Sequence, residues 1–110
     1  MNKRKIIILL VFIISLSACQ DYDVTGKIVI EYDNAWTAVI SQNRTESNVS
    51  GNGNREYSFT NPDSLSVTAS KQDDSQNKLT VFIYEDERIT AAASTREPQG
   101  SVRAEYEFPY

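Results

Sequence analysis

The chain of 110 residues contains no histidine and a single cysteine, Cys19. Histidine is the commonest general base and metal ligand, so its absence disfavours most acid–base and metal-dependent catalysis. One cysteine cannot form an internal disulfide. No serine occupies a G-x-S-x-G nucleophile elbow, and Gly51 and Gly53 lack the lysine of a phosphate-binding loop. These absences predict a protein that is not an enzyme and that holds neither a cofactor nor a metal.

A hydrophobic run long enough to cross a bilayer is also missing. Residues 6–14 are nine consecutive apolar residues, whereas a membrane-spanning helix needs about 20. Basic residues 3–5 precede the run and small residues follow it, which is the layout of a secretory signal peptide. We therefore expect the chain to be exported.

The end of this signal, Leu16-Ser17-Ala18-Cys19, resembles the lipobox of bacterial lipoproteins. A thiol is the best side-chain nucleophile for accepting a lipid group, and small residues let the peptidase close on the bond before it. The alternative is an ordinary secreted protein that is cut after Ala18 and keeps Cys19 as a free thiol. The lipobox predicts a signal peptide over residues 1–18, lipidation of Cys19, a tether over residues 19–25 and a folded domain over residues 26–110.

The residues after the cysteine bear on location. Lipoproteins retained in the inner membrane of enterobacteria typically have aspartate where this chain has Gln20, and Asp21 with Asp23 resembles the acidic surface-export tether of Bacteroidetes lipoproteins. The resemblance implies a lipid-anchored envelope protein of the outer membrane, either on its periplasmic face or at the cell surface.

Positive charge is scarce in the exported part. The whole chain has 11 basic and 15 acidic residues, and removal of the signal peptide takes away Lys3, Arg4 and Lys5. The eight basic residues that remain face 15 acidic ones, a net charge of −7. Because a negative domain is repelled by phosphate backbones, nucleic-acid binding is disfavoured.

The domain itself shows a period of two with many β-branched and aromatic residues, which predicts strands rather than helices. Residues 79–84 are apolar on both faces and are expected to form a central strand. The polar stretch 41–54 is interpreted as holding a short edge strand near residues 46–50, since loops of that length are uncommon. About seven short strands predict an antiparallel β-sandwich of immunoglobulin-like size, with a small closed barrel as the alternative.

The second half of the domain resembles the end of MmpS-like domains. The resemblance lies in the strand over residues 79–84, the acidic turn Glu85-Asp86-Glu87, a strand from Arg88, and Pro98-Gln99-Gly100 before the final strand. Members of that family are small, membrane-tethered, extracytoplasmic β-sandwiches, and mycobacterial ones assist exporters of lipids and siderophores. This chain differs from them in having a lipobox in place of a transmembrane helix, and no cysteine pair.

Several residues are candidates for binding or modification. Asp73-Asp74-Ser75-Gln76-Asn77 offers oxygen ligands for calcium or forms a solvated turn. Trp36 is a sugar-stacking platform or a core residue, and Tyr57, Tyr84 and Tyr106 raise the same question. Asp63-Ser64-Leu65 resembles the O-glycosylation signal of Bacteroidetes. The N-glycosylation patterns at Asn43 and Asn48 are coincidental in a bacterial lipoprotein.

Three functions compete on this sequence. The leading hypothesis is a non-catalytic, membrane-anchored domain that serves as a protein-interaction or accessory subunit of an envelope assembly or exporter. The alternative is a surface module that binds glycans or lipids through exposed aromatic residues. The third is an enzyme, which requires clustered carboxylates with perturbed pKa values in a pocket.

We predict that mass spectrometry of the native protein finds acyl chains on Cys19 and no residues before it. Cys19→Ala removes the acceptor thiol and releases the domain from the membrane fraction, because a stable anchor needs about two acyl chains. Ser17→Ala keeps the small residue that the peptidase requires and serves as the matched control that stays anchored. An unmodified thiol or an intact amino terminus in the native protein contradicts the prediction.

Overall fold

The computed structural model describes residues 23–109, so Cys19 and the residues before it lie outside the described range. This range forms antiparallel strands and contains no helix, and thus no helix long and apolar enough to cross a membrane. The eight strands are β1 (Thr25–Glu31), β2 (Ala35–Gln42), β3 (Thr45–Asn52), β4 (Arg55–Thr60), β5 (Ser64–Lys71), β6 (Leu79–Glu85), β7 (Arg88–Thr95) and β8 (Ser101–Glu107).

The strands form two four-stranded sheets that pack face to face. Sheet A has the order β4-β1-β6-β7 and sheet B the order β3-β2-β5-β8. The predicted antiparallel sandwich is therefore confirmed, with eight strands where about seven were expected. Each sheet keeps two edge strands, which a closed barrel does not have. The prediction of a central strand over residues 79–84 is also confirmed, because β6 lies between β1 and β7.

The core consists of the side chains that alternate inward from both sheets. Alternate residues of a strand point to opposite faces, so one phase of each inner strand is apolar and the other meets solvent. The fully buried members include Ile28 and Ile30 of β1, Val67 and Ala69 of β5, and Leu79, Val81 and Ile83 of β6. Within residues 23–109 the first buried residue is Val24, two residues before the expected start of the domain at residue 26.

Most of the polar stretch 41–54 belongs to a hairpin formed by β2 and β3 and not to a loop. The predicted edge strand exists, but it is longer than residues 46–50 and spans Thr45–Asn52. The reason is a two-residue turn in which Asn43 and Arg44 both have positive φ angles, 52° and 70°, as a tight hairpin of this type needs. The Asn43 side chain secures the turn by accepting hydrogen bonds from the backbone of Asp63 and Ser64.

The two ends of the sandwich differ in what they carry. At one end, termed the proximal end, β1 begins beside the last residues of β4 and β6. Strand β8 ends at the same place, beside Ser64. Both termini of the domain therefore lie at the proximal end. The opposite, distal end consists of the connections at residues 32–34, 53–54, 72–78 and 96–100.

We predict that Gly51→Ala lowers the free energy of unfolding by about 1–3 kcal/mol, the usual cost of overpacking a core. A Cβ atom at Gly51 would lie 2.6 Å from Cζ2 of Trp36, whose indole is buried at 1% exposure. The exposed neighbour on the same strand provides the control, because Asn52→Ala should change stability by no more than about 0.5 kcal/mol. Urea denaturation of both variants checks this, and equal stability of the two would contradict it.

Candidate functional site

The outer face of sheet A carries adjoining apolar side chains. The register places Val29 of β1, Phe82 of β6 and Ala92 of β7 side by side, and sets Tyr84 beside Ile89 in the next row. Directly opposed residues of antiparallel strands project from the same face of a sheet. These residues, Val29, Phe82, Tyr84, Ile89 and Ala92, are termed the aromatic face.

Ile89 is the most exposed of the bulky side chains in the aromatic face. It is 51% exposed, the highest fraction of any large hydrophobic side chain among residues 23–109. A β-bulge produces this exposure, because the pairing passes from Ile83–Ala91 to Tyr84–Ile89 and leaves Thr90 as an extra residue. The Thr90 hydroxyl donates a hydrogen bond to the Ile83 carbonyl at 3.0 Å and fixes the bulge.

The aromatic rings of this face are not arranged as one flat platform. The Phe82 and Tyr84 centroids lie 6.2 Å apart with ring planes inclined at 56°. The ammonium of Lys27 lies 4.7 Å from the Tyr84 centroid and covers that ring. Polar side chains of Glu56 and Ser58 flank the apolar centre. An apolar centre with a polar rim is the usual anatomy of a protein–protein interface.

The outer face of sheet B has a different chemistry. Register places Thr37 beside Ser70 and Ser101, and Val39 beside Thr68 and Arg103. Short hydroxyl side chains and charges thus dominate this face, which suits contact with water. The two outer faces of the sandwich are therefore unequal, and the aromatic face is the one with apolar surface to cover.

A buried polar network occupies the distal end. Lys71 is 2% exposed at the end of β5, and its ammonium donates hydrogen bonds to the carbonyl oxygens of Ser75 at 2.6 Å and Arg96 at 3.3 Å. It also lies 5.6 Å from the centroid of the Tyr32 ring. The Tyr32 hydroxyl in turn donates to a carboxylate oxygen of Asp73 at 2.6 Å. This network joins the connections 72–78 and 96–100 to the core.

Hydrogen bonding and burial shift the pKa values of Asp73 and Tyr32. The pKa of Asp73 lies below its ordinary value, chiefly because Tyr32 donates a hydrogen bond to the carboxylate. Burial, followed by the bond to Asp73, raises the pKa of Tyr32. The side chain of Asn34 also donates a hydrogen bond to Asp73, so the oxygens of this carboxylate accept hydrogen bonds from within the domain. Within residues 23–109 no three acidic or thiol side chains come together as a metal site would require, and the segment 73–77 gives the calcium hypothesis no support.

The aromatic residues named in the sequence fall into different environments. Trp36 is a core residue, and its indole N–H donates to the Gly53 carbonyl at 2.8 Å, so it offers no stacking platform. Tyr57 packs at the side of the core, and Tyr106 does so with its hydroxyl donating to Glu85 at 2.8 Å. That bond raises the pKa of Tyr106. Tyr84 belongs to the aromatic face.

The two modification candidates lie near the proximal end or outside the described range. Asp63-Ser64-Leu65 spans the corner where β5 begins, with Asp63 exposed, Ser64 half-buried and Leu65 in the core. Cys19 precedes the described residues, so its lipidation stays a prediction. The Asp63-Ser64-Leu65 corner lies at the start of a sheet B strand, whereas the aromatic face belongs to sheet A.

Two important residues were missed by the sequence analysis. Lys71 continues the inward phase of Leu65, Val67 and Ala69, and a lysine in that phase was an available signal for a buried cation. Ile89 gave no such signal, because its exposure depends on the bulge at Thr90. Comparisons of the chain with protein-family models, with curated proteins and with solved structures found no match.

We predict that Asp73→Asn makes the unfolding free energy less sensitive to acid. Because the folded-state pKa of Asp73 lies below the ordinary 3.8, its carboxylate stabilises the fold above pH 3.8, and this contribution is lost as the pH falls through the lower folded value. The difference between wild type and variant should therefore shrink as the pH falls below 3.8. Urea denaturation over the acid range measures it.

The neighbouring carboxylate provides the control for this experiment. Asp74 is exposed and accepts a hydrogen bond from Gln99. Asp74→Asn is the matched substitution, because it removes a carboxylate of the same segment and leaves the Tyr32–Asp73 hydrogen bond in place. An Asp73→Asn protein with an unaltered acid dependence would show that the Tyr32–Asp73 bond does not set the titration.

Proposed function

We propose that this chain is a membrane-anchored lipoprotein of the cell envelope whose β-sandwich binds another protein and has no catalytic role. In this proposal residues 1–18 are removed, Cys19 carries the lipid, and the outer membrane is the location. The domain then serves as an interaction or accessory subunit of an envelope assembly or exporter, in line with the MmpS-like resemblance.

The observation that carries the proposal is the inequality of the two outer faces. Sheet B exposes threonine and serine, whereas sheet A exposes the aromatic face with Ile89 at 51% exposure. Apolar surface in water is unfavourable by about 25 cal/mol per Å². Such surface with a polar rim marks a site that a partner covers.

The position and charge of the proximal end favour an orientation of the domain on the membrane that leaves the aromatic face accessible. Few residues separate Cys19 from the buried Val24, so the lipid holds the domain close to its membrane. The proximal end carries the acidic residues Asp23, Asp63 and Glu107. Negative charge disfavours adsorption of this end to anionic lipids. The aromatic face lies on the side of the sandwich, where a neighbouring envelope protein can reach it.

A glycan-binding module has weaker support. Stacking on a sugar requires an open aromatic plane, but Trp36 is buried and the Tyr84 ring is covered by Lys27. The 56° inclination between Phe82 and Tyr84 also prevents the two rings from forming one surface. Contact with an irregular protein surface does not need coplanar rings.

We predict that a photoreactive phenylalanine derivative at Phe82 captures one defined envelope protein in native membranes. The same group at Thr68, on the outer face of sheet B, is the matched control and should give no adduct. Phe82→Thr removes the ring but keeps a side chain that favours strands, and it should abolish co-purification of that protein without unfolding the domain. Adducts with lipid or glycan alone from position 82, or equal capture from both faces, would refute the proposal.

A further inference from the structure

The edge of sheet A beside the aromatic face is formed by β7. This strand pairs with β6 on one side, and within residues 23–109 no strand pairs with its other side. The neighbouring β8 belongs to sheet B and forms no ladder with it. An edge strand presents alternate backbone N–H and C=O groups outward, where they can pair with another strand.

The four edge strands differ in how their side chains protect them. Charged side chains on an edge deter pairing with other chains. Arg55 and Glu56 lie on β4, and β8 carries Arg103, Glu105 and Glu107. Strand β3 contains Glu46 and has a single apolar side chain, Val49. Strand β7 also carries one charged residue, Arg88, but its residues 89–95 include one isoleucine and three alanines, so β7 is the most apolar of the four edges.

From these observations we infer that the partner protein adds a strand to β7, so that sheet A continues into the partner. This inference rests on the proposed function, because it states how the partner of the aromatic face is held. The occupant is an extended, uncharged segment with apolar side chains on its pairing stretch. Backbone hydrogen bonds supply the attachment, and pockets for alternate side chains supply specificity.

The side chains of β7 fit such a segment on both faces. Ala91 and Ala93 point inward and are half-buried against the core, and their small side chains do not project beyond this edge. Ala92 and Ile89 point outward as part of the aromatic face, so outward side chains of the added strand extend that surface. The bulge at Thr90 interrupts the ladder, which confines regular pairing to residues 91–95.

A second copy of this chain is a poorer occupant of the same edge. Two exported chains each carry a net charge of −7 and repel one another.

The test uses the lipidated, full-length protein in its native membranes, with a photoreactive phenylalanine derivative at Ser94 on β7. Ser50 on the β3 edge is a matched position, since both serines are exposed in edge strands. The group at position 94 should capture the same protein as the group at position 82, whereas the group at position 50 should not. Ser94→Lys should lower capture at position 82 about tenfold, whereas Ser50→Lys should not change it.

Hydrogen exchange separates strand addition from contact through side chains alone. In the purified complex, the amides of residues 91–95 that face away from β6 should become protected. Capture at position 82 that is unaffected by Ser94→Lys, with these amides unprotected, overturns the strand addition and leaves the proposed function standing. Capture of only a second copy from position 94 also overturns it. Absence of any captured protein at both positions removes the proposed function as well.

Discussion

The ammonium of Lys71 is the interaction that closes the distal end of the sandwich. A buried charge is costly unless hydrogen bonds replace its water, and here two carbonyls and the face of the Tyr32 ring do so. These carbonyls belong to Ser75 and Arg96, so one cation ties two long connections to the end of β5. Every buried side-chain polar atom in residues 23–109 has a partner. The loops of this end are therefore part of the folded unit.

Lys71 closes the distal end and the proximal end holds both termini, which leaves the two outer faces of the sandwich to be compared. One of them, on sheet B, is covered by hydroxyl groups that water satisfies. The other presents Phe82 and Ile89, whose exposure yields no stability to the isolated domain. The two sheets thus share one core but differ in the chemistry of their outer faces.

Much of this architecture follows from the sequence because the two-residue period is strong. The inward phase of β5 and the doubly apolar β6 predict a buried and a central strand, and both are found. The period also predicts burial of Trp36. The period does not predict the Asn43–Arg44 turn. Both residues of this turn have positive φ angles, which usually require glycine, and neither is glycine. Nor does the period identify which outer face exposes apolar side chains, since sheet order depends on pairings between strands far apart in sequence.

The bulge at Thr90 connects the site to the physics of the fold. Along β7 the inward residues are Ala93 and Ala91, and an unbroken alternation would turn Ile89 inward as well. The extra residue reverses this phase and places Ile89 outward beside Tyr84. Complete burial of an isoleucine contributes about 1.5–3 kcal/mol, and Ile89 at 51% exposure forgoes about half of that stability. Under the proposed function, a partner that covers Ile89 recovers this stability, and Ile89 lies on the most apolar of the four edge strands.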